Sequence, residues 1–340
     1  MMPSRNTKIS DLGEKKLVRR LLSRSQTPGI NSLFLNKISI ESLSDDAALL
    51  DLGDNFLVLC SDMLMQSTHF PEEMSYHQIG QKVVAVNVSD LAAMGSETIG
   101  IIVSMGLPKT MLVEEFDELV EGILNACQKY GMPLIGGDTN EASELTLCGT
   151  CIGKVKKEHV LMKSGAKQGD VIAVTGQLGL AASGFKVLEY GPYIDEDVKN
   201  MVIKHALEPE AKLNEGKLLS SSGYVSSATD ITDGILSELG EIIDSNHGKV
   251  GIVLNQDDLP IPAEVFKIAE ITDSDPFEMA MAYGEDFELV FTISPEGYDF
   301  LKSKINIYKI GQVDSSGTIK MIDKKGNTNI ITPRGYEHLK

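Results

Sequence analysis

Between residues 76 and 94 the chain reads as a helix whose apolar stripe runs Ile79, Val83, Val86, Asp90 and Ala93, at the 3.6-residue spacing of one helical face. A carboxylate in the middle of such a stripe costs several kcal/mol when buried, unless it is paired or holds a cation. The fold must therefore bring something to Asp90, and the plainest alternative to a ligand role is an Asp that caps a neighbouring loop. Asp90 belongs to a set of six aspartates spread along the chain: Asp46 in SDDAALL, Asp62 in CSDML, Asp90 in NVSDLAAMG, Asp138 in GGDT, and Asp230 and Asp233 in TDITDG. Carboxylates that a fold forces together repel one another unless cations lie between them. Hard oxygen ligands suit Mg²⁺ or a similar ion, which in enzymes usually arrives with phosphates.

Length and charge narrow the setting. A chain of 340 residues is expected to form two domains, and its 42% hydrophobic and 24% charged composition is that of a globular protein. No apolar run approaches the roughly 20 residues of a membrane span, and the start MMPSRNTKIS has no apolar signal core, so a cytoplasmic enzyme with no membrane contact is expected. The net charge of −18 argues against nucleic-acid binding by bulk electrostatics and makes divalent cations the natural mediator for any phosphate ligand. Cys148 and Cys151 form a C-x-x-C, but within a strand-like LTLCGTCIGKV, where residues three apart point to opposite faces. No second ligand pair is spaced for zinc, so Cys60, Cys127, Cys148 and Cys151 read as structural thiols.

Periodicity places a helix at about 13–23, strands near 47–50 and 56–60, the helix at 76–94, a helix at 113–130, a strand at 133–135 feeding GGDT, and a strand at 145–155. The basic, turn-rich stretch 154–170 sets the expected domain boundary, giving 1–157 and 158–340. The second half alternates strand and helix, which predicts mixed α/β layers in both halves. The two glycines of GGDT suggest a turn with unusual backbone angles presenting Asp138, and TDITDG joins a strand to a helix opening at Gly234 or Ile235, where Thr232 or Asp233 would be an ordinary N-cap. The familiar nucleotide signatures G-x-x-x-x-G-K-[ST], G-x-G-x-x-G, H-R-D and D-F-G are missing.

Nine short motifs nonetheless occur in order: GE at 13–14, SDDAAL, SD-x-x-x-x-x-x-HF at 61–70, NVSDLAAMG, GGDT, KSGA-x-x-GD, DITDG, YGEDFEL and GYEHL. Together they resemble the thiamine-monophosphate kinase family, whose fold is similar to that of aminoimidazole ribonucleotide synthetase. The resemblance implies an α/β (α+β) two-domain fold. The N-terminal domains would pair into a homodimer through a shared β-barrel, and the active site would lie in the cleft between domains. It implies ATP-dependent phosphorylation of thiamine monophosphate to thiamine diphosphate, with several Mg²⁺ ions as cofactor. By motif match, Asp46, Asp62, Asp90, Asp138 and Asp230 fall on Mg²⁺-ligand positions, with Ser61 adding an oxygen and Asp233 a further or outer ligand. Gly137, Asp138, Lys163 and Thr232 fall on ATP-contacting positions, and His69, Glu285 and Tyr336 on positions that contact the thiamine substrate. Without the resemblance, His69 reads as a loop histidine, Tyr336 as a tail aromatic, and Cys60 as core.

Three departures stand out: Ser44 for the usual Gly, Lys163 for the usual Arg, which exchanges a bidentate fork for a point charge, and Tyr283 where the family has a second Gly before GED. Two alternatives stay open on sequence: another ATP-dependent member of the superfamily with a different phosphorylated acceptor, and a non-catalytic nucleotide- or metal-binding paralogue. No reactive cysteine near the N-terminus and no C-terminal cysteine speak for the selenophosphate-synthesising or hydrogenase-maturation branches.

Overall fold

The computed structural model describes residues 8–25, 45–191 and 193–339; Ser44 lies outside them, and the side chains of 22–25 are not described. In the first half, a helix α1 (Glu14–Ser25) precedes strands β1 (Ala48–Asp51) and β2 (Asn55–Met65), a helical turn α2 (Gln66–His69), helix α3 (Tyr76–Ala93), strand β3 (Glu97–Leu107), helix α4 (Val113–Lys129), and strands β4 (Leu134–Glu141) and β5 (Thr146–Lys156). The strands form one sheet in the order β1-β2-β5-β3-β4, with β2 and β5 antiparallel along their full length. Cys60 stands opposite Cys151 in that ladder and both are buried, whereas Cys148 faces the other way; all four cysteines are free.

Helix α3 is the axis of this half. Ser75 caps it in a reciprocal bond with Gln78, as S-x-x-Q should. It packs between the first sheet, α4 and elements of the second half, which explains why its buried residues run round nearly the whole helix. The crossing with α4 is a backbone contact: a Cβ at Gly80 would lie 2.2 Å from the Leu119 carbonyl oxygen, and one at Gly122 2.0 Å from that of His77.

The second half begins with β6 (Val171–Val174) and helices α5 (Leu180–Tyr190), α6 (Glu196–Leu207) and α7 (Leu213–Ser222). There follow β7 (Val225–Asp230), α8 (Ile235–Ser245), β8 (Gly251–Asn255), α9 (Ala263–Ile271), α10 (Pro276–Met281), β9 (Leu289–Ile293), α11 (Pro295–Leu301), β10 (Tyr308–Asp314), β11 (Ile319–Ile322) and β12 (Thr328–Ile331). A seven-stranded sheet runs β12-β11-β8-β10-β6-β9-β7. Its central strands β6 and β9 are buried at every residue, which is why they read as unbroken apolar runs rather than alternating ones. Helix α8 packs its apolar face into one core cluster with this sheet. The other main cluster crosses between halves, joining Val83, Val86 and Leu91 of α3 to Ala228, Leu289 and Phe291 of the second sheet.

Two local expectations need correction. GGDT is not a turn but part of β4, an edge strand whose glycines have ordinary extended angles; Gly137 is needed because a Cβ there would meet the Val103 carbonyl of β3 at 2.1 Å. Helix α8 is capped by neither Thr232 nor Asp233. Its N-cap is Gly234, at φ 106°, and Glu238 reaches back to accept from the Asp233 N–H at 3.2 Å. Helix α1 docks through charges: Lys15 donates to Ser237 and Glu241 and Arg19 pairs with Asp244, while Val18 and Leu21 are exposed.

Candidate active site

Four of the six aspartates converge where α3 and β2 of the first half meet β7 of the second. Alternation along β2 puts Asp62 on the same face as buried Cys60, toward α3, and there the Asp62 N–H donates to Asn87 Oδ1 at 3.2 Å. Helix α3 presents Asp90 to that face, and β7 ends at Asp230, which is 3% exposed. Asp46, just before β1, accepts from the Thr229 hydroxyl at 3.0 Å and from the Lys163 ammonium at 2.7 Å.

Two of these four carboxylates are under-satisfied. Asp46 Oδ2 and Asp230 Oδ2 are buried without a hydrogen-bond partner, as is the Ser89 hydroxyl. Burial and the nearby Asp46 charge push Asp230 up to about 8. Burial and then Asp62, with Cys60, Asp230 and Asp46 adding to it, push Asp90 far above the carboxylate range. Asp62 is also raised, by burial and the Asp46 charge, although an Asp90 hydrogen bond opposes the shift. Native structures rarely leave buried oxygens orphaned, and mutually repelling carboxylates with free lone pairs are the donor set of a hard divalent cation. Among the described residues no three His, Cys, Asp or Glu side chains close on a single point at metal spacing, so the cluster is an acidic wall rather than a finished cage.

Two expected ligands stand apart from it. The Ser61 hydroxyl points to the opposite face of the sheet, where it bonds the Gly149 carbonyl and Thr150 at 2.9 Å each. Asp138 pairs in register with Ser104, Ser104 with Cys148, and Cys148 with Met63, which sets Asp138 on that same far face. It lies three strand spacings from β2, about 14 Å, exposed and bonded to Asn140. Within one chain the structure does not bring Asp138 or the Ser61 hydroxyl to the other four.

At one end of the wall, Lys163 is 7% exposed and bridges Asp46 and Glu241, each at 2.7 Å. Burial works against its ammonium, but Asp46 and Glu241 outweigh burial and hold it well above its ordinary value. Asp45 accepts from the Lys163 N–H at 3.1 Å, and burial plus the Asp46 charge raise it to about 7. From here a cleft of about 750 Å³ opens between α1, α8 and the C-terminal segment, lined by Lys15, Asp45, Asp233, Glu241, Arg334 and Tyr336. That is within the usual range for a small-molecule site. Asp233 faces this cleft, and burial raises it to about 6 against the pull of Lys15.

Of the three residues expected to meet the acceptor, Tyr336 lines this cleft, whereas His69 and Glu285 lie beyond it around Lys82. Glu285 accepts from the Lys82 ammonium at 2.7 Å, and the same ammonium donates to the His69 carbonyl at 3.1 Å. The His69 ring stands 5.2 Å from that of His338, which meets Tyr336 edge-on at 4.8 Å. Burial, with Lys82 next, lowers His69 and keeps its imidazole neutral, with Nδ1 accepting from the Met65 N–H at 3.0 Å. Main-chain bonds join the ends: Glu285 N–H to the Thr232 carbonyl at 2.8 Å, and Tyr336 N–H to that of Asp233 at 3.0 Å. Glu285 and Phe287 are non-glycine residues at positive φ, 61° and 50°, the kind of local strain that clusters at working sites. Tyr283 stacks on Phe185 of α5 with ring centroids 5.8 Å apart, so its bulk is absorbed there.

Sequence reasoning missed Asp45, Lys82, Glu238, Glu241 and His338. Two were visible in motifs already noted, SDD and GYEHL. Lys82 carried the same signal as Asp90, one charge in an apolar run, IGQKVVAV. Glu238 and Glu241 look like ordinary surface charges of an amphipathic helix until α1 and Lys163 cover that face.

A two-sheet fold with an acidic wall between its halves defines a class. The chain matches the AIR synthase related protein family, its N-terminal domain over residues 44–155 and its C-terminal domain over residues 167–324. Among curated proteins it is 35% identical to the thiamine-monophosphate kinase of Pyrococcus horikoshii over 321 residues, covering 94% of this chain and 98% of that one. It is 34% identical to the thiamine-monophosphate kinase of Pyrococcus abyssi, covering 91% and 94%. The solved structure of AaThiL complexed with AMPPCP and TMP superposes with a TM-score of 0.85 at 24% identity, over 98% of this chain and 100% of that chain, which shows a shared fold. The chain belongs to the thiamine-monophosphate kinase family.

Proposed function

We propose that this chain transfers the γ-phosphoryl group of ATP to thiamine monophosphate, giving thiamine diphosphate and ADP. The observation that carries this reading is the acidic wall of Asp46, Asp62, Asp90 and Asp230, in which Asp46 and Asp230 each keep a buried oxygen without a partner, set between a cation suited to phosphate, Lys163, and a carboxylate suited to a cationic ring, Glu285. A terminal phosphate oxygen of the acceptor, ionised near neutral pH, attacks the γ-phosphorus in line. The bond to the β–γ bridging oxygen breaks and ADP leaves, with no covalent enzyme intermediate. Such chemistry needs positioning and charge neutralisation more than a general base, so the chain supplies no nucleophile. Cys60 in particular is buried, with its Sγ donating to the Asn87 carbonyl at 3.2 Å.

The carboxylates would hold several Mg²⁺ ions, which when bound would neutralise the phosphates of the two substrates. Lys163 contributes a point charge to the nucleotide phosphates once Glu241 and Asp46 share it. His69, Glu285 and Tyr336 hold the thiamine portion, and Thr232 and Asp233 link the two ends. The chain acts in the cytoplasm as a homodimer of two-domain protomers, divided near residues 157 and 158. The far face of the first sheet supports the dimer: Leu57, Leu59, Ile102 and Ile152 are only partly buried there, and Met63 is 59% exposed. Docking two such faces would bring Gly137 and Asp138 of one protomer toward its partner, which accounts for their distance from the rest of the site.

The test is a coupled ADP-release assay of the purified chain with ATP, Mg²⁺ and thiamine monophosphate, beside a small panel of other phosphorylated acceptors. Turnover on thiamine monophosphate is expected. It should fall about 100-fold or more in Asp90→Asn, which keeps the shape of the side chain and removes its charge. A folded, metal-loaded chain that never phosphorylates thiamine monophosphate would sink the proposal.

A further inference from the structure

Lys82 is the one lysine in helix α3, and at 1% exposed it ranks among the most completely buried side chains described. A buried ammonium is tolerated only when its donors are spent on good acceptors. Here they go to two places that sequence distance separates widely: the Glu285 carboxylate at 2.7 Å and the His69 main-chain carbonyl at 3.1 Å. Both belong to the acceptor end of the site.

Glu285 depends on such support. Its backbone sits at φ 61°, after Gly284 at φ 91°, where a Cβ would lie 2.2 Å from the Thr232 carbonyl oxygen. The main chain is pinned to that carbonyl, while the carboxylate is 29% exposed at the surface of the site. Left alone, a partly exposed Glu side chain samples several rotamers. With Oε2 fixed by Lys82, the carboxylate has one direction, and Oε1 is the oxygen available to a ligand. Along the same helix, Asp90 lies eight residues on, about 12 Å by the rise per residue. Helix α3 thus carries both the anchor of the acceptor-binding carboxylate and a member of the acidic wall.

We infer that Lys82 is a positioning residue for the acceptor: it orients Glu285, and with it the His69 segment, so that an acceptor with a cationic ring is held at a fixed distance from the acidic wall. This rests on the function proposed above. A merely structural lysine would behave differently. Removing one partner of an ion pair is costly when the charge left behind is buried, but the Glu285 carboxylate is 29% exposed and water can take over from the lost ammonium. A structural role therefore predicts little change in either Michaelis constant for Lys82→Met. A positioning role predicts a selective loss at the acceptor.

The experiment measures kcat and the KM values for ATP and for thiamine monophosphate in the unaltered chain, in Lys82→Met, in Glu285→Gln and in the double variant, with a melting curve for each. In Lys82→Met the KM for thiamine monophosphate is expected to rise about tenfold or more, while that for ATP stays within about twofold. The double variant is expected to be no worse than the poorer single one, because both changes break the same unit. Equal shifts in both KM values, no shift in either, or additive losses in the double variant would each overturn the inference. If Lys82→Met does not fold, Lys82→Gln keeps an N–H donor for the same two acceptors. It is then expected to show a smaller rise confined to the acceptor, and an unchanged acceptor KM would overturn the inference. No turnover of thiamine monophosphate by the unaltered chain would overturn the function and this inference together, whereas normal turnover with an indifferent Lys82 would overturn only the latter.

Discussion

At the scale of single residues, this protein is defined by charges kept where water is scarce. Asp286 shows this apart from the acidic wall. Both of its carboxylate oxygens accept from the Gly179 N–H at 3.1 Å, at the start of α5, yet burial raises it to about 8, with Glu288 and Glu285 adding to the effect. Its folded value exceeds its unfolded one, so between roughly pH 4 and 8 the native state holds a proton that the unfolded chain releases. Asp286 therefore lowers stability progressively as pH rises through that window and has no effect below it, where both states are protonated. Asp286→Asn keeps an acceptor for Gly179 and removes the titration. Its unfolding free energy, followed by urea titration from pH 5 to 8, is expected to fall less steeply with pH than that of the unaltered chain. A parallel pH profile would contradict the assignment. Of these buried charges, Asp46, Asp62, Asp90 and Asp230 were legible because an acid beside an apolar run is anomalous by itself. Glu241 was not, because a glutamate on an amphipathic helix becomes anomalous only when Lys163 and Lys15 close over it.

At the scale of elements, α3 does the most. Its extent was plain in the sequence to within a residue at its C-terminal end, since a long apolar period runs through it, and the structure adds a capping box at Ser75 and Gln78. Strand β3 was not read, because ETIGIIVSMGL lacks the clean alternation of a half-exposed strand. GGDT was read as a turn on its glycines, which in fact serve an extended edge strand packed closely against β3. The α3–α4 crossing yields a prediction at this scale. Gly122→Ala would set a methyl against the His77 carbonyl, which is backbone and cannot swing aside. The expected destabilisation is about 1–3 kcal/mol by denaturant titration, with a loss of activity larger than instability alone explains, because Lys82 and Asp90 move with α3. A stability change within error would mean that the helices separate freely.

At the scale of the whole molecule, the halves share one core cluster, and the acidic wall exists only where they meet. ATP with Mg²⁺ is therefore expected to raise the melting temperature by more than the sum of either alone, and EDTA should remove the excess; additive shifts would argue against a shared site. The sequence by itself determined the residue types of the site, the order of its motifs and the helix that carries Asp90, because each depends on local pattern or on an energetic anomaly within a few residues. The tertiary structure decided which acids meet. It set Asp138 and the Ser61 hydroxyl on the far face of a sheet, gave Lys163 to Asp46 and Glu241, and tied Glu285 to Lys82 across 203 positions of chain. Strand pairing and the packing of two halves fix such distances, and electrostatic repulsion acts through space rather than along the sequence.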